Sequence, residues 1–237
     1  MTEGERGKEG LWALLKRGEK YFGGIIVRER YKTVKAEATA EIVEKKSRFI
    51  ANVKRVSTEQ DAIDFYELIK KKFWDARHNV YAYYIGGDIP VQKFSDEGEP
   101  TGTAGMPILE TIKRQGLEDV VVVVTRYFGG ILLGTGGLIR AYSKSAGEGI
   151  KLAGVVERIW ATKVNIKIDY ALLGKIQSIA ISEGWQIIDS VYSDLIDIYM
   201  AVPVEQVKLL RKKIAELTAG TLEITEADHD YYITEEI

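Results

Sequence analysis

The chain has 237 residues, 33 Lys+Arg against 35 Asp+Glu, and no cysteine. Its length suits two modest cores better than one large one. Disulfides, thiol catalysis and thiolate metal sites are excluded, two histidines are too few for a histidine-rich zinc centre, and no apolar stretch is long enough to span a bilayer.

Residues 1–27 differ from the rest and have neither a secretory layout nor a small-residue cleavage site. Two readings stand for this extension. It is a disordered or weakly docked tail, or it is a translated leader before a natural start at Val27, because Gly23-Gly24 can be encoded as a ribosome-binding sequence. From Tyr31 the pattern becomes regular. Spans 34–42 and 47–55 read as strands around a Glu44-Lys45-Lys46 turn. Ser57 with Gln60 reads as a capping box, opening a helix that presents Ile63, Tyr66, Ile69 and Phe73. Val80 to Ile85 is a buried strand, with Val91 to Phe94 as its partner across Gly86-Gly87-Asp88. Pro107 suits the first turn of a helix that Gly116 ends. Val120 to Val124 are five consecutive valines, whose β-branched side chains suit a strand covered on both faces. A helix from about Leu138 to Lys151 completes one α/β domain, assigned to 28–152.

The remainder, 155–237, reads as a second domain. Trp160, Thr162, Val164, Ile166 and Ile168 alternate with more polar residues, as in a half-buried strand. Helix 170–183 stops at Gly184, strands 185–192 and 195–202 follow, and Pro203 opens a helix that stops at Gly220 before a strand over Thr221 to Thr225. The order β-α-β-β-α-β is the ferredoxin-like split pattern, so the fold class is α+β with two domains. Residues 28–150 carry 19 Lys+Arg against 17 Asp+Glu, and 151–237 carry 9 against 14. Neither approaches the basicity of a dedicated nucleic-acid binder, which leaves only a local basic patch.

Two loops carry the candidate chemistry. After the valines, Arg126-Tyr127-Phe128 leads into Gly129, Gly130, Gly134, Gly136 and Gly137, and then Arg140. The cluster lacks the G-K-[ST] ending of a nucleotide-binding P-loop and the spacing of a dinucleotide fingerprint. A helix opening at Gly136-Gly137 still offers backbone N–H groups to an anion, with an arginine on each side. The alternative is that the glycines allow a tight turn and close helix–sheet packing. The second loop holds Asp96, Glu97 and Glu99. These carboxylates suit a general base or a magnesium ion, or else an ion-pair network with Arg126, Arg140 or Arg77. Asp75 and His78 lie nearby in sequence, and His78 reads as a structural hydrogen-bonder. His229, between Asp228 and Asp230, reads as solvated. No nucleophile–base–orienter set can be assembled, so no catalytic residue, metal or cofactor is expected.

The segments Asp75-Ala76-Arg77-His78, SDEGEPTGTAGMP at 95–107 and VVVTRYFGGILLGTGGLIRAY at 122–142 together resemble the IMPACT (imprinted ancient) family, in its bacterial YigZ branch. The resemblance implies an N-terminal α/β sandwich similar to a ribosomal-protein domain and to the fourth domain of elongation factor G, followed by a ferredoxin-like domain. It also implies translational regulation, and it supplies no agreed catalytic residues. The expected activity is therefore non-catalytic: cytoplasmic binding of RNA or the ribosome, without a membrane partner. Arg126 and Arg140 would meet phosphates and Tyr127 or Phe128 would stack on a base, while the glycine-loop amides orient the backbone. The rival is an enzyme acting on a phosphorylated small molecule or nucleotide, with Asp96 or Glu97 as acid/base. Oligomeric state is not legible.

Overall fold

A computed structural model describes residues 19–22, 25–87, 89–218, 222 and 224–236. The described chain forms two compact units that divide after Glu157, and the second also takes in the described residues up to Arg30. The leader reading falls mostly on residues 1–18, outside those described. Glu19–Phe22 (β1) and Ile25–Arg28 (β2) pair antiparallel.

The first unit is built on one antiparallel sheet. After Arg30–Val34 (β3) come Ala38–Glu44 (β4), Ser47–Arg55 (β5), His78–Ile85 (β6), Val91–Ser95 (β7) and Val120–Tyr127 (β8), in spatial order β4-β5-β8-β6-β7. The valine strand β8 is therefore central, and its side chains go alternately to two layers. Val120, Val122 and Val124 pack with Ile108, Ile112 and Tyr142 from helices Gly105–Arg114 (α2) and Thr135–Ala153 (α3). Val121 and Val123 pack with Phe65, Tyr66 and Ile69 from helix Glu59–Lys72 (α1) on the opposite face. Five valines in a row are what a strand with two apolar faces requires.

Two local expectations need correction. The strand expected over 34–42 is interrupted, because Lys35 and Ala36 donate to the carbonyls of Gly154 and Ala153 instead of extending the ladder. The capping box is Thr58 with Asp61, not Ser57 with Gln60: Asp61 Oδ2 accepts from the Ser57 and Thr58 amides, and the Gln60 amide turns to Asp64. Between β4 and β5, Lys45 and Lys46 both adopt positive φ, at 45° and 65°. That two-residue turn matches the twist of the strands, and glycine or asparagine is its ordinary occupant.

The second unit runs Val155–Ile168 (β9), Leu173–Glu183 (α4), Gln186–Tyr192 (β10), Ile196–Pro203 (β11), Val207–Thr218 (α5) and Ile224–Glu236 (β12). The sheet order β10-β11-β9-β12 is the ferredoxin-like arrangement, with Ile166, Ile198 and Met200 packed beneath Ile176 and Leu210. Gly184 ends α4 at φ 70°, as expected of a left-handed cap. Gly220 lies outside the described residues, and the strand expected at 221–225 instead begins at Ile224 and runs on to Glu236. His229 is not simply solvated: its Nδ1 lies 3.0 Å from the Thr162 hydroxyl and its ring stacks on Trp160.

Candidate functional site

The two chemical loops meet at the end of β8. Arg126 points into the α2–α3 layer and is buried, with Nη1 donating to Glu99 Oε1 at 2.6 Å. The Tyr142 hydroxyl donates to the same oxygen at 2.7 Å. Phe49 and Phe128 place their rings 5.4 and 5.7 Å from the guanidinium carbon. The Tyr142 ring meets Phe49 edge-on. Burial, with the Glu99 carboxylate beside it, pushes the Tyr142 phenol well above the ordinary tyrosine range. A buried ion pair of this kind fixes geometry more than it adds stability, because desolvation offsets much of the attraction. It ties the acidic loop to the start of the glycine loop.

The neighbouring carboxylates are also occupied. Asp96 accepts from the amides of Gly102, Ala104 and Gly105 at 2.7, 3.0 and 2.8 Å, so it caps α2, whose own cap residue Ala104 has no polar side chain. Glu97 accepts from the Ser95 hydroxyl and faces Lys70 at 4.0 Å. Its carbonyl lies 2.8 Å from His78 Nδ1, which therefore carries the proton. Asp75 accepts from the Tyr127 hydroxyl, and Arg48 lies over the Tyr127 ring while paired with Glu41. Among the described residues no three His, Cys, Asp or Glu side chains are placed to hold a metal ion.

The glycine loop divides by role. A Cβ at Gly129 would lie 2.0 Å from the Lys46 carbonyl carbon, so close packing on the β4–β5 turn demands glycine there. Gly130 and Gly134 take positive φ, at 83° and 70°. Gly137 is buried against Leu133, whereas Gly136 is exposed at the start of α3. That helix has no side-chain cap and no acid in its first turn. Arg140 is exposed, and its Nη1 lies 3.5 Å from where a Gly136 Cβ would stand. With Lys45 and Lys144 it lines an open pocket of about 200 Å³, which Glu44, Leu133, Gly137 and Ala141 complete. Phe128, Ile131 and Leu132 stand exposed on the loop.

The two arginines singled out by sequence thus occupy opposite environments: Arg126 inside with Glu99, Arg140 outside with other cations. Sequence reasoning did not single out Tyr142, Lys45 or Lys144. Lys144 was findable, since it lies four residues from Arg140 and so on the same helix face. Lys45 was not, because only sheet pairing brings the β4–β5 turn to α3.

Comparison with known proteins follows the same division of the chain. Residues 45–150 match the model of the Impact N-terminal domain, and residues 166–221 match that of a domain of unknown function, DUF1949. IMPACT family member YvyE of Bacillus subtilis is 45% identical over 201 residues, covering 85% of this chain and 93% of that protein. IMPACT family member YigZ of Escherichia coli is 33% identical over 182 residues, covering 76% and 89%. A solved structure described as a hypothetical protein is 31% identical and covers 85% of this chain and 99% of its own, with a TM-score of 0.55. Both relatives are matched over nearly their whole length, across the two motif loops and beyond them, and this chain belongs to the IMPACT family.

Proposed function

We propose that this protein is a non-catalytic, cytoplasmic regulator of translation, binding RNA or the ribosome through the loop after β8 and the first turns of α3. The translational role is what the family resemblance implies. The observation that supports the contact is Arg140, an exposed cation folded over the uncapped N-terminus of α3. A helix N-terminus carries roughly half a positive charge, and a cation beside it is repelled unless an anion is bound between them. A phosphate accepting from the Arg140 guanidinium and from the amides of Thr135 and Gly136 removes that repulsion.

In this reading Phe128, half-exposed beside the loop, stacks on a base. Tyr127 is tied to Asp75 and Arg48, and Arg126 acts as a positioning residue through Glu99. The engagement of Asp96 with three amides speaks against that carboxylate as the acid/base of the rival enzymatic reading, and Glu99 is likewise taken up by Arg126.

Co-sedimentation with ribosomes and retention of structured RNA, across a salt series, test the proposal. Binding should weaken steeply as salt rises, because neutralised phosphates release counterions. Arg140→Ala should reduce affinity about tenfold, the effect of removing one charge-assisted hydrogen bond. Failure of both ribosomes and RNA to retain the protein at low salt rejects it.

A further inference from the structure

The outward face of α3 continues beyond the site just described. At 100° per residue, Gly136, Arg140, Lys144, Gly147 and Lys151 fall within an arc of about 80°, opposite the buried Leu138, Tyr142, Ser145 and Gly149. Arg140, Lys144 and Lys151 are exposed, and among the described residues none lies within ion-pair distance of a carboxylate. A merely solvated helix face usually mixes signs and forms pairs four residues apart. Glu148, four residues after Lys144, stands about 40° past the edge of that arc without an ion pair among the described residues, and Glu44 belongs to the facing turn. This concentration of cations occurs in a chain of net charge −2.

Gly147 points the same way for a different reason. It stands in the middle of a 19-residue helix, where glycine weakens the helix relative to alanine. Gly149, two residues on, has a packing reason, since a Cβ there would come within 2.8 Å of Val53 Cγ2. Gly147 has none: a Cβ at that position would meet nothing within 4 Å. The unneeded glycine sits between Lys144 and Lys151, where its missing side chain leaves helix backbone open to close approach. At the near end of the crest, Lys45 is held at positive φ in a turn that glycine or asparagine would form with less strain, and it faces Arg140 and Lys144 across the pocket.

We infer that the crest of α3, from Gly136 to Lys151, is a track for the phosphodiester backbone of RNA. Arg140, Lys144 and Lys151 meet successive phosphates over about 16 Å, and Gly147 lets the strand lie against the helix. Charge complementarity commits the face to a polyanion, and the unobstructed helix backbone at Gly147 suits a thin, repeating one. This inference rests on the RNA-binding reading and extends it from one phosphate to a stretch of strand.

The test is fluorescence anisotropy of a labelled RNA hairpin across a salt series, with thermal melting of each variant. The double variant Lys144→Gln/Lys151→Gln should lower the slope of log affinity against log salt by about 1.5, roughly 0.7 to 0.9 for each phosphate no longer neutralised. Gly147→Ala should raise the melting temperature yet weaken RNA binding by roughly fivefold, because the added methyl group holds the strand off. If wild type binds with an Arg140-dependent affinity while both variants leave slope and affinity unchanged, the track is wrong and the single-phosphate reading stands. If wild type binds no RNA, both fall. Retention on phosphatidylserine vesicles without RNA binding also overturns the inference.

Discussion

Glu99 carries more of the first unit's local order than its place in an acidic loop suggests. Its oxygen is shared by Arg126 and Tyr142 in a buried setting, so removing it leaves a guanidinium and a phenol without their acceptor. Glu99→Ala should cost about 3 kcal/mol or more in urea unfolding, as expected when a buried pair is deprived of one partner. The phenol adds a pH signature. Its folded-state pKa is raised above the ordinary value of about 10, so its contribution is complete below that pH and is lost as pH rises further. Stability should therefore fall with alkalinity above about pH 10, and less steeply in Tyr142→Phe. The Tyr83 phenol, pushed up by burial and by Glu59, adds to the same slope, so a Tyr83→Phe control separates the two. Glycines within one loop should also behave differently. Gly129→Ala forces a methyl group onto the Lys46 backbone and should cost about 3 kcal/mol, while Gly130→Ala, strained only by its φ of 83°, should cost about 1 kcal/mol.

At the scale of elements, the acidic loop works as a remote helix cap. Asp96 comes from the end of β7 and satisfies amides at the start of α2, nine residues on, that no nearby side chain reaches. Asp96→Ala should destabilise the first unit by about 2 kcal/mol, with amide exchange at Gly102, Ala104 and Gly105 accelerated most. An unchanged exchange pattern would remove the capping role. Helix α3 is the opposite case, since no side chain caps it. Its buried side is fixed by packing, as Gly149 against Ala51 and Val53 shows, and its outer side is free to be chosen for something else. That freedom makes Gly147 and the crest cations informative, whereas the apolar side only reports the fold.

Across the whole molecule, two units each enclose their own core, one around the valine strand and one around β9 and β11. Calorimetry should resolve two transitions, Glu99→Ala lowering one and Ile198→Ala the other; a single transition moved equally by both would show the units to be coupled. Much of this organisation was legible in the chain itself. An unbroken valine run located the β8 strand, and periodicity with its breakers located the helices ended by Gly116 and Gly184 and the β-α-β-β-α-β order, because burial on one or two faces leaves a pattern that sequence records directly. The motif loops identified the family by residue type and order alone. Spacing along the chain, however, cannot say which arginine meets which carboxylate. Arg126 and Arg140 lie in the same motif, and only the pleat of β8 and the turn of α3 send one inward to Glu99 and the other outward to Lys45 and Lys144. Side-chain direction is fixed by pairing with strands and turns many residues away, and those pairings exist only in the folded chain.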